Sequence, residues 1–224
     1  MICCVVFDFD GTLVASNEIK RRTFFEIARP WDPQGEVVAA VLERWPAADR
    51  FEKTRKIAEC LIAERLLPAE SSAAEWASRL AREYTAQCER AIAACPEVSG
   101  ATAALEELSG RGLRLYINSA TPTESLRRLL KLRTWDRLFR AVYGSECSKA
   151  ANLARIGREA GAGRNEIVQV GDGADDRSAA EQAGCHFVAV AACGGEACGT
   201  AGIPAVRDLR ELIDLLPKLS GAQT

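Results

Sequence analysis

The sequence predicts an α/β fold: a parallel sheet with helices on both faces, interrupted after its first strand by an inserted helical domain. Five short apolar runs, each ended by Gly, Asp, Asn or Ser, have the length and composition of buried strands. Helical patterns lie between the later runs, and strand alternating with helix gives a parallel sheet covered on both sides. Residues 15–94, in contrast, carry helical spacing only.

The first run, residues 2–7, ends in Asp8-Phe9-Asp10-Gly11-Thr12. The stretch that follows repeats apolar residues at helical intervals: Val37, Val38, Val41, Leu42 and Trp45, then Ile57 and Leu61, then Trp76, Leu80 and Tyr84. Pro30, Pro33, Pro46 and Pro68 mark its breaks. Because the first strand must rejoin a sheet completed after Pro96, residues 15–94 are expected to form a helical cap on a core made of residues 1–14 and 95–224. The second run, 113–117, ends in Asn118-Ser119-Ala120-Thr121, and a helix over 123–132 leads to the third run, 141–143. Gly144-Ser145-Glu146-Cys147-Ser148-Lys149 then opens a helix over 149–160, which Gly161 and Gly163 close. The fourth run, 167–170, ends in Gly171-Asp172-Gly173-Ala174-Asp175-Asp176. After the fifth, 187–191, a segment holding Gly194, Gly195, Gly199 and Gly202 lacks any phosphate-loop spacing and is expected to be a mobile loop.

Composition excludes several classes. The 29 Lys and Arg nearly cancel the 31 Asp and Glu, giving a net charge of −2 and no overall field toward nucleic acid or an anionic membrane. The basic run Arg127, Arg128, Lys131, Arg133, Arg137 and Arg140 has only Trp135 and Phe139 for stacking, so it reads as a solvated helix paired with acids elsewhere. No apolar stretch reaches the roughly 18 residues of a bilayer span. The N-terminus lacks a cationic leader and runs early into Asp8, so a cytoplasmic chain is expected. Nine cysteines, an odd count, suit reduced thiols, and Cys193 and Cys198 lack the spacing of a zinc site. The one histidine, His186, starts an apolar run and reads as structural; any mechanism needing two histidines is excluded.

In an open α/β sheet, ligands bind at the carboxyl ends of the strands, and there the chemistry gathers. Asp8 and Asp10 point to the same side of a strand end, and Asp172, Asp175 and Asp176 join them at the same sheet edge. Carboxylates so crowded need a cation, and an all-oxygen set without His or Cys selects a hard one, Mg²⁺. The hydroxyl and backbone N–H groups at Ser119 and Ala120 form a natural oxyanion cradle where strand turns to helix. Lys149, opening its helix, places a compact positive charge over the same point. Taken singly, each feature also fits a turn or a helix cap. Their order, an acid pair, Ser, Lys and an acid cluster on successive strand ends, does not.

That ordered set resembles the haloacid dehalogenase-like hydrolase superfamily, in its phosphatase branch, similar to the phosphoglycolate phosphatases. The resemblance covers nearly the whole chain and implies a Rossmann-like core with a cap inserted after the first motif. It implies that Asp8 is the nucleophile that forms an aspartyl-phosphate, and Asp10 the general acid and base. Ser119, with Ala120 beside it, would bind the transferring phosphoryl, and Lys149 would neutralise charge. Mg²⁺ would sit between the Asp8 side chain, the Asp10 backbone carbonyl and Asp172, with Asp176 as the second acid of the fourth motif, a register that adjacent Asp175 shares. Where the family often has Gly-Lys-Pro, this chain has Ser148-Lys149-Ala150. Haloacid dehalogenases lack the second aspartate of the first motif, and sugar-phosphate mutases use a cap histidine that is absent here. A small phosphorylated metabolite is therefore the implied substrate, with a monomer or homodimer as the assembly. A C–halogen hydrolase, a phospho-receiver domain and a non-catalytic binding relative are the alternatives. Glu18, Lys20, Arg21, Arg22, Arg50 and Lys53 are candidate anion readers of the cap.

Overall fold

A computed structural model of the chain describes residues 1–46, 48–68, 70, 72–191 and 202–219. Its first strand, β1 (Cys4–Phe7), is buried at every position, as a strand flanked on both sides must be. Four helices follow: α1 (Asn17–Ala28), α2 (Glu36–Arg44), α3 (Arg50–Ala63) and α4 (Ala73–Ala93). Then come α5 (Ala101–Gly110), β2 (Arg114–Asn118), α6 (Thr123–Leu132), β3 (Phe139–Tyr143) and α7 (Lys149–Ala160). The chain continues through β4 (Ile167–Gly171), α8 (Ala174–Ala183), β5 (His186–Val190), β6 (Ala205–Val206) and α9 (Leu212–Leu219).

The strands pair in parallel in the order β3-β2-β1-β4-β5-β6. Phe7 stands level with Ile117 of β2 and Val170 of β4. The order therefore reverses at β1, and the crevice beyond its carboxyl end is the natural ligand site of such a sheet. Val6, Tyr116 and Ile167 share one face and pack with Leu153 and Ile156 of α7 and Ala179 of α8. Helix α5 packs on β2 and on α9. The sixth strand is absent from the sequence reading because two residues present no periodicity; only pairing with β5 defines it.

Two units emerge: Met1–Ser16 with Cys95–Thr224, and Asn17–Ala94. The helical unit has its own core, in which Val38, Val41, Ile57, Leu61, Leu80 and Tyr84 are buried. Phe24 and Tyr84 lie 4.2 Å apart between ring centroids, and Trp31 meets Trp76 edge-on at 4.7 Å. Asp49 and Ser72 cap α3 and α4 through Glu52 N–H and Glu75 N–H. Among the described residues no helix is long and apolar enough to cross a membrane. Cys3, Cys4, Cys60, Cys88, Cys95, Cys147 and Cys185 are free thiols. Cys193, Cys198 and the segment around Gly194, Gly195 and Gly199 lie outside the described residues.

Candidate active site

The polar groups of the α/β unit converge where β1, β2 and β4 end. Asp8 follows β1 directly, and both Asp8 and Asp10 are buried. Asp8, Asp172 and Asp176 each place a carboxylate oxygen within 4.8 Å of the other two. Lys149 is the first residue of α7, where a cation opposes the helix dipole. Its ammonium is held there by carboxylates: Asp176 Oδ1 at 2.8 Å, Asp175 Oδ2 at 2.9 Å and Asp8 Oδ1 at 3.5 Å. One positive charge among so many acids leaves the cluster strongly negative, and its donors are hard oxygens only. That chemistry fits a hard divalent cation.

Helix α8 settles which of two adjacent acids belongs to the cluster. Asp176 is fully buried, whereas the Asp175 side chain is 61% exposed and reaches Lys149 from outside. Asp176 lies directly against Gly171: a Cβ there would stand 2.2 Å from the Asp176 Cγ, so the close approach requires glycine. Gly173 N–H donates to Asp176 Oδ2 at 3.3 Å, and the first-turn position of both acids favours negative charge. Burial first, and then the Asp8 carboxylate, push Asp176 well above the ordinary carboxylate range. Burial alone would lower Lys149, but Asp8, Asp176 and Asp175 outweigh it and hold the ammonium above the usual lysine value. For Asp175 burial opposes the charge, yet Lys149 prevails and keeps it below its ordinary value.

The Asp10 carboxylate is not one of the clustered three. Ser16 Oγ donates to its Oδ1 and Thr121 Oγ1 to its Oδ2, each at 2.6 Å. Thr12 Oγ1 donates to Asp172 Oδ1 at 3.2 Å. At the end of β2 the buried Ser119 gives its N–H to Tyr143 C=O, and its Oγ accepts from Thr121 N–H at 3.3 Å. Those bonds narrow the donors of this turn to the Ser119 hydroxyl and the Ala120 N–H. In place of the proline of a Gly-Lys-Pro turn, the Ser148 hydroxyl caps α7 by accepting from Ala151 N–H at 3.2 Å. Ser16, Thr12 and Gln169 escaped the sequence reading. For Gln169 a signal existed, a lone polar residue inside an apolar strand; for Ser16 none did.

The cationic residues singled out in the helical unit engage neighbours of that unit. Arg21 lies 5.4 Å over the Phe25 ring, Arg22 pairs with Glu26 at 3.0 Å, and Arg50 lies 5.6 Å over Tyr84. Lys53 Nζ donates to Pro46 C=O at 2.9 Å, and burial, then Lys20, lower its pKa. Glu18 sits in the first turn of α1, where the dipole favours it. Of the basic run, Arg127 pairs with Glu124 on its own helix at 2.9 Å, while Arg133 donates to the Cys95 carbonyl at 2.6 Å.

The protein-family model of haloacid dehalogenase-like hydrolases matches residues 2–184. No curated protein matches the chain. Among solved structures, a predicted phosphoglycolate phosphatase from Haemophilus somnus 129PT superposes with a TM-score of 0.75 at 16% identity, over 96% of this chain and 98% of that one. CbbY from Rhodobacter sphaeroides, in complex with phosphate, gives 0.70 at 20% identity, over 95% and 96%. The HAD-hydrolase YfnB from Bacillus subtilis, bound to magnesium, gives 0.70 at 18%, over 96% and 98%. At these identities the structures speak for the fold. The match of the family model, which extends from β1 through α8 and so takes in both strand ends of the acid cluster, makes the assignment: the chain belongs to the haloacid dehalogenase-like hydrolase family.

Proposed function

We propose that the chain is a phosphatase, a magnesium-dependent hydrolase of small phosphomonoesters that works through an aspartyl-phosphate on Asp8. The observation that carries this reading is the pairing of Asp8 with Lys149 inside a three-carboxylate cluster, while a second buried aspartate, Asp10, is held separately by two hydroxyls. Phosphate bound to the Rhodobacter protein and magnesium bound to the Bacillus protein support it. The helical unit, by its place in the chain directly after the first strand, is the cap of this reading.

The Asp8 carboxylate attacks phosphorus, forming one O–P bond as the ester O–P bond breaks. Asp10 gives its proton to the departing alcohol oxygen. In the second half Asp10 takes a proton from water, whose oxygen attacks the aspartyl-phosphate, releasing inorganic phosphate and restoring Asp8. Lys149 offsets the repulsion between the Asp8 carboxylate and the phosphoryl dianion. The Ser119 hydroxyl and Ala120 N–H donate to phosphoryl oxygens. Asp8, Asp172 and the main-chain carbonyl of Asp10 would hold the metal, with Asp176 completing the site, and the ion would supply Lewis-acid stabilisation of the phosphoryl charge.

An Asp8→Asn variant assayed with an aryl phosphate tests the assignment. Loss of activity by at least about a thousandfold is expected, and full retained activity would sink the nucleophile. EDTA should abolish turnover of the native chain and Mg²⁺ restore it. Turnover of a 2-haloacid in place of phosphate esters would move the reading to C–halogen hydrolysis.

A further inference from the structure

Beneath the acid cluster the α/β unit buries three side-chain amides that the mechanism does not use. Gln169 stands in the middle of β4, fully buried in the strand Ile-Val-Gln-Val-Gly. Its Nε2 donates to Asp176 Oδ1 at 2.8 Å, and its Oε1 accepts from Asn118 Nδ2 at 3.4 Å. Asn118 Nδ2 also donates to the Lys149 carbonyl at 3.0 Å, and its Oδ1 accepts from Asn152 Nδ2 at 3.1 Å. Asn152 reaches on to the Gly144 carbonyl, again at 3.1 Å. The series has one consistent sense: Asn152 donates to Asn118, Asn118 to Gln169 and Gln169 to the Asp176 carboxylate, which can only accept. An apolar side chain would fill the interior of β4 without the cost of desolvating an amide. Placing an amide there makes sense when its hydrogen bonds fix something.

We propose that Gln169 is a positioning residue, fixing the Asp176 carboxylate in the orientation that completes the metal site with Asp8 and Asp172. The proposal rests on the reading of that cluster as a divalent-metal site. Asp176 Oδ1 receives both Gln169 Nε2 and Lys149 Nζ at 2.8 Å, whereas Oδ2 receives the Gly173 N–H at 3.3 Å. With Oδ1 filled, Oδ2 is the oxygen left for a cation. Lys149 does not set this orientation alone, because its ammonium is shared with Asp175 and Asp8 and is a compact charge without a planar donor direction. The Gln169 amide is planar and anchored at its oxygen by Asn118, so its donor direction is fixed.

The test is Gln169→Met, which keeps length and removes the donor. Metal-free native protein and variant are titrated with Mg²⁺ alone while the melting temperature is followed, a readout independent of turnover. The native protein is expected to gain stability, and the half-saturating Mg²⁺ concentration of the variant to rise about tenfold. Raising Mg²⁺ should then narrow the gap in kcat, as an intact but misoriented ligand set requires. A variant that melts lower yet half-saturates with the native protein overturns the proposal, since Gln169 would then only fill the core. If the Met variant does not fold, Gln169→Asn, which withdraws the amide by one carbon, carries the same expectation and the same refutation. A native protein that gains no stability from Mg²⁺ defeats the metal reading itself, and does so before any variant is made.

Discussion

In the helical unit the buried side chains Thr23, Asp32 and Thr54 bond backbone close by in sequence, while the Tyr84 hydroxyl reaches 64 residues to the Lys20 carbonyl. Thr23 donates to Ile19 C=O, Thr54 to Phe51 C=O, and Asp32 accepts from Glu36 and Val38 N–H at the start of α2. In the α/β unit several partners lie far apart along the chain: Asn118 and Gln169 are 51 residues apart, Asp10 and Thr121 are 111, and Thr12 and Asp172 are 160. Local polar burial serves single helices: Thr23 and Thr54 bond carbonyls of their own helix, and Asp32 replaces bonds that the start of α2 lacks. Long-range polar burial assembles groups that no single element could present, and its cost in desolvation is borne where chemistry requires it. The acid cluster combines both kinds: Ser16 reaches Asp10 and Gln169 reaches Asp176 from six and seven residues away, while Thr121 and Thr12 bond partners 111 and 160 residues away.

The contrast breaks most visibly at Lys149. Lys149→Met strands buried carboxylates, so stability to urea should fall by about 3 kcal/mol, and kcat/KM for an aryl phosphate by about a thousandfold. In the helical unit, Leu61→Ala should cost a comparable ~3 kcal/mol through its cavity, yet leave Mg²⁺ half-saturation where it was. An equal shift in Mg²⁺ binding would show that the two kinds of burial are not separable. Asp32→Ala removes two acceptors from the first turn of α2 and should cost about 1 kcal/mol, read by the same denaturation. Smallest is the exposed triad in which Glu59 meets Arg55 at 2.6 Å and Lys56 at 3.1 Å: Arg55→Ala should change stability by less than about 0.5 kcal/mol. The hydrogen bond from Lys56, aided by Arg55, holds Glu59 below its ordinary value. Its small contribution is therefore complete above the usual glutamate range and lost as pH falls through it. Glu59→Gln should remove that part of the acid limb, in a melting-temperature profile between about pH 5 and 3.

What the residues disclosed in advance follows the same divide. Five strands are legible because each is an apolar run punctuated by a turn residue, a local signal; β6 is not, because its two residues have meaning only beside β5. Asp8, Ser119, Lys149 and Asp172 are legible because each directly follows a strand or opens a helix. Asp175 and Asp176 are chemically identical and adjacent, so nothing local separates them. The turn of α8 does, by laying one over Gly171 and the other toward solvent. The hydroxyl of Ser16 on Asp10 is invisible for a related reason: a serine before a helix reads as a cap, and its use depends on a loop folding back on β1.

The place of β1 in the sheet has a consequence for how the molecule is made. The strand is central, yet it is synthesised well before both of its sheet neighbours, which start at Arg114 and Ile167. Until those segments arrive, Val5, Val6 and Phe7 have no sheet to enter, and loop closure over such separations is slow. The helical unit, which is continuous in sequence from Asn17 to Ala94, can form its own core in that interval. The strand that carries Asp8 into the cluster thus waits on segments made long after it, so a nascent chain holds no assembled acid cluster until α8 has been synthesised.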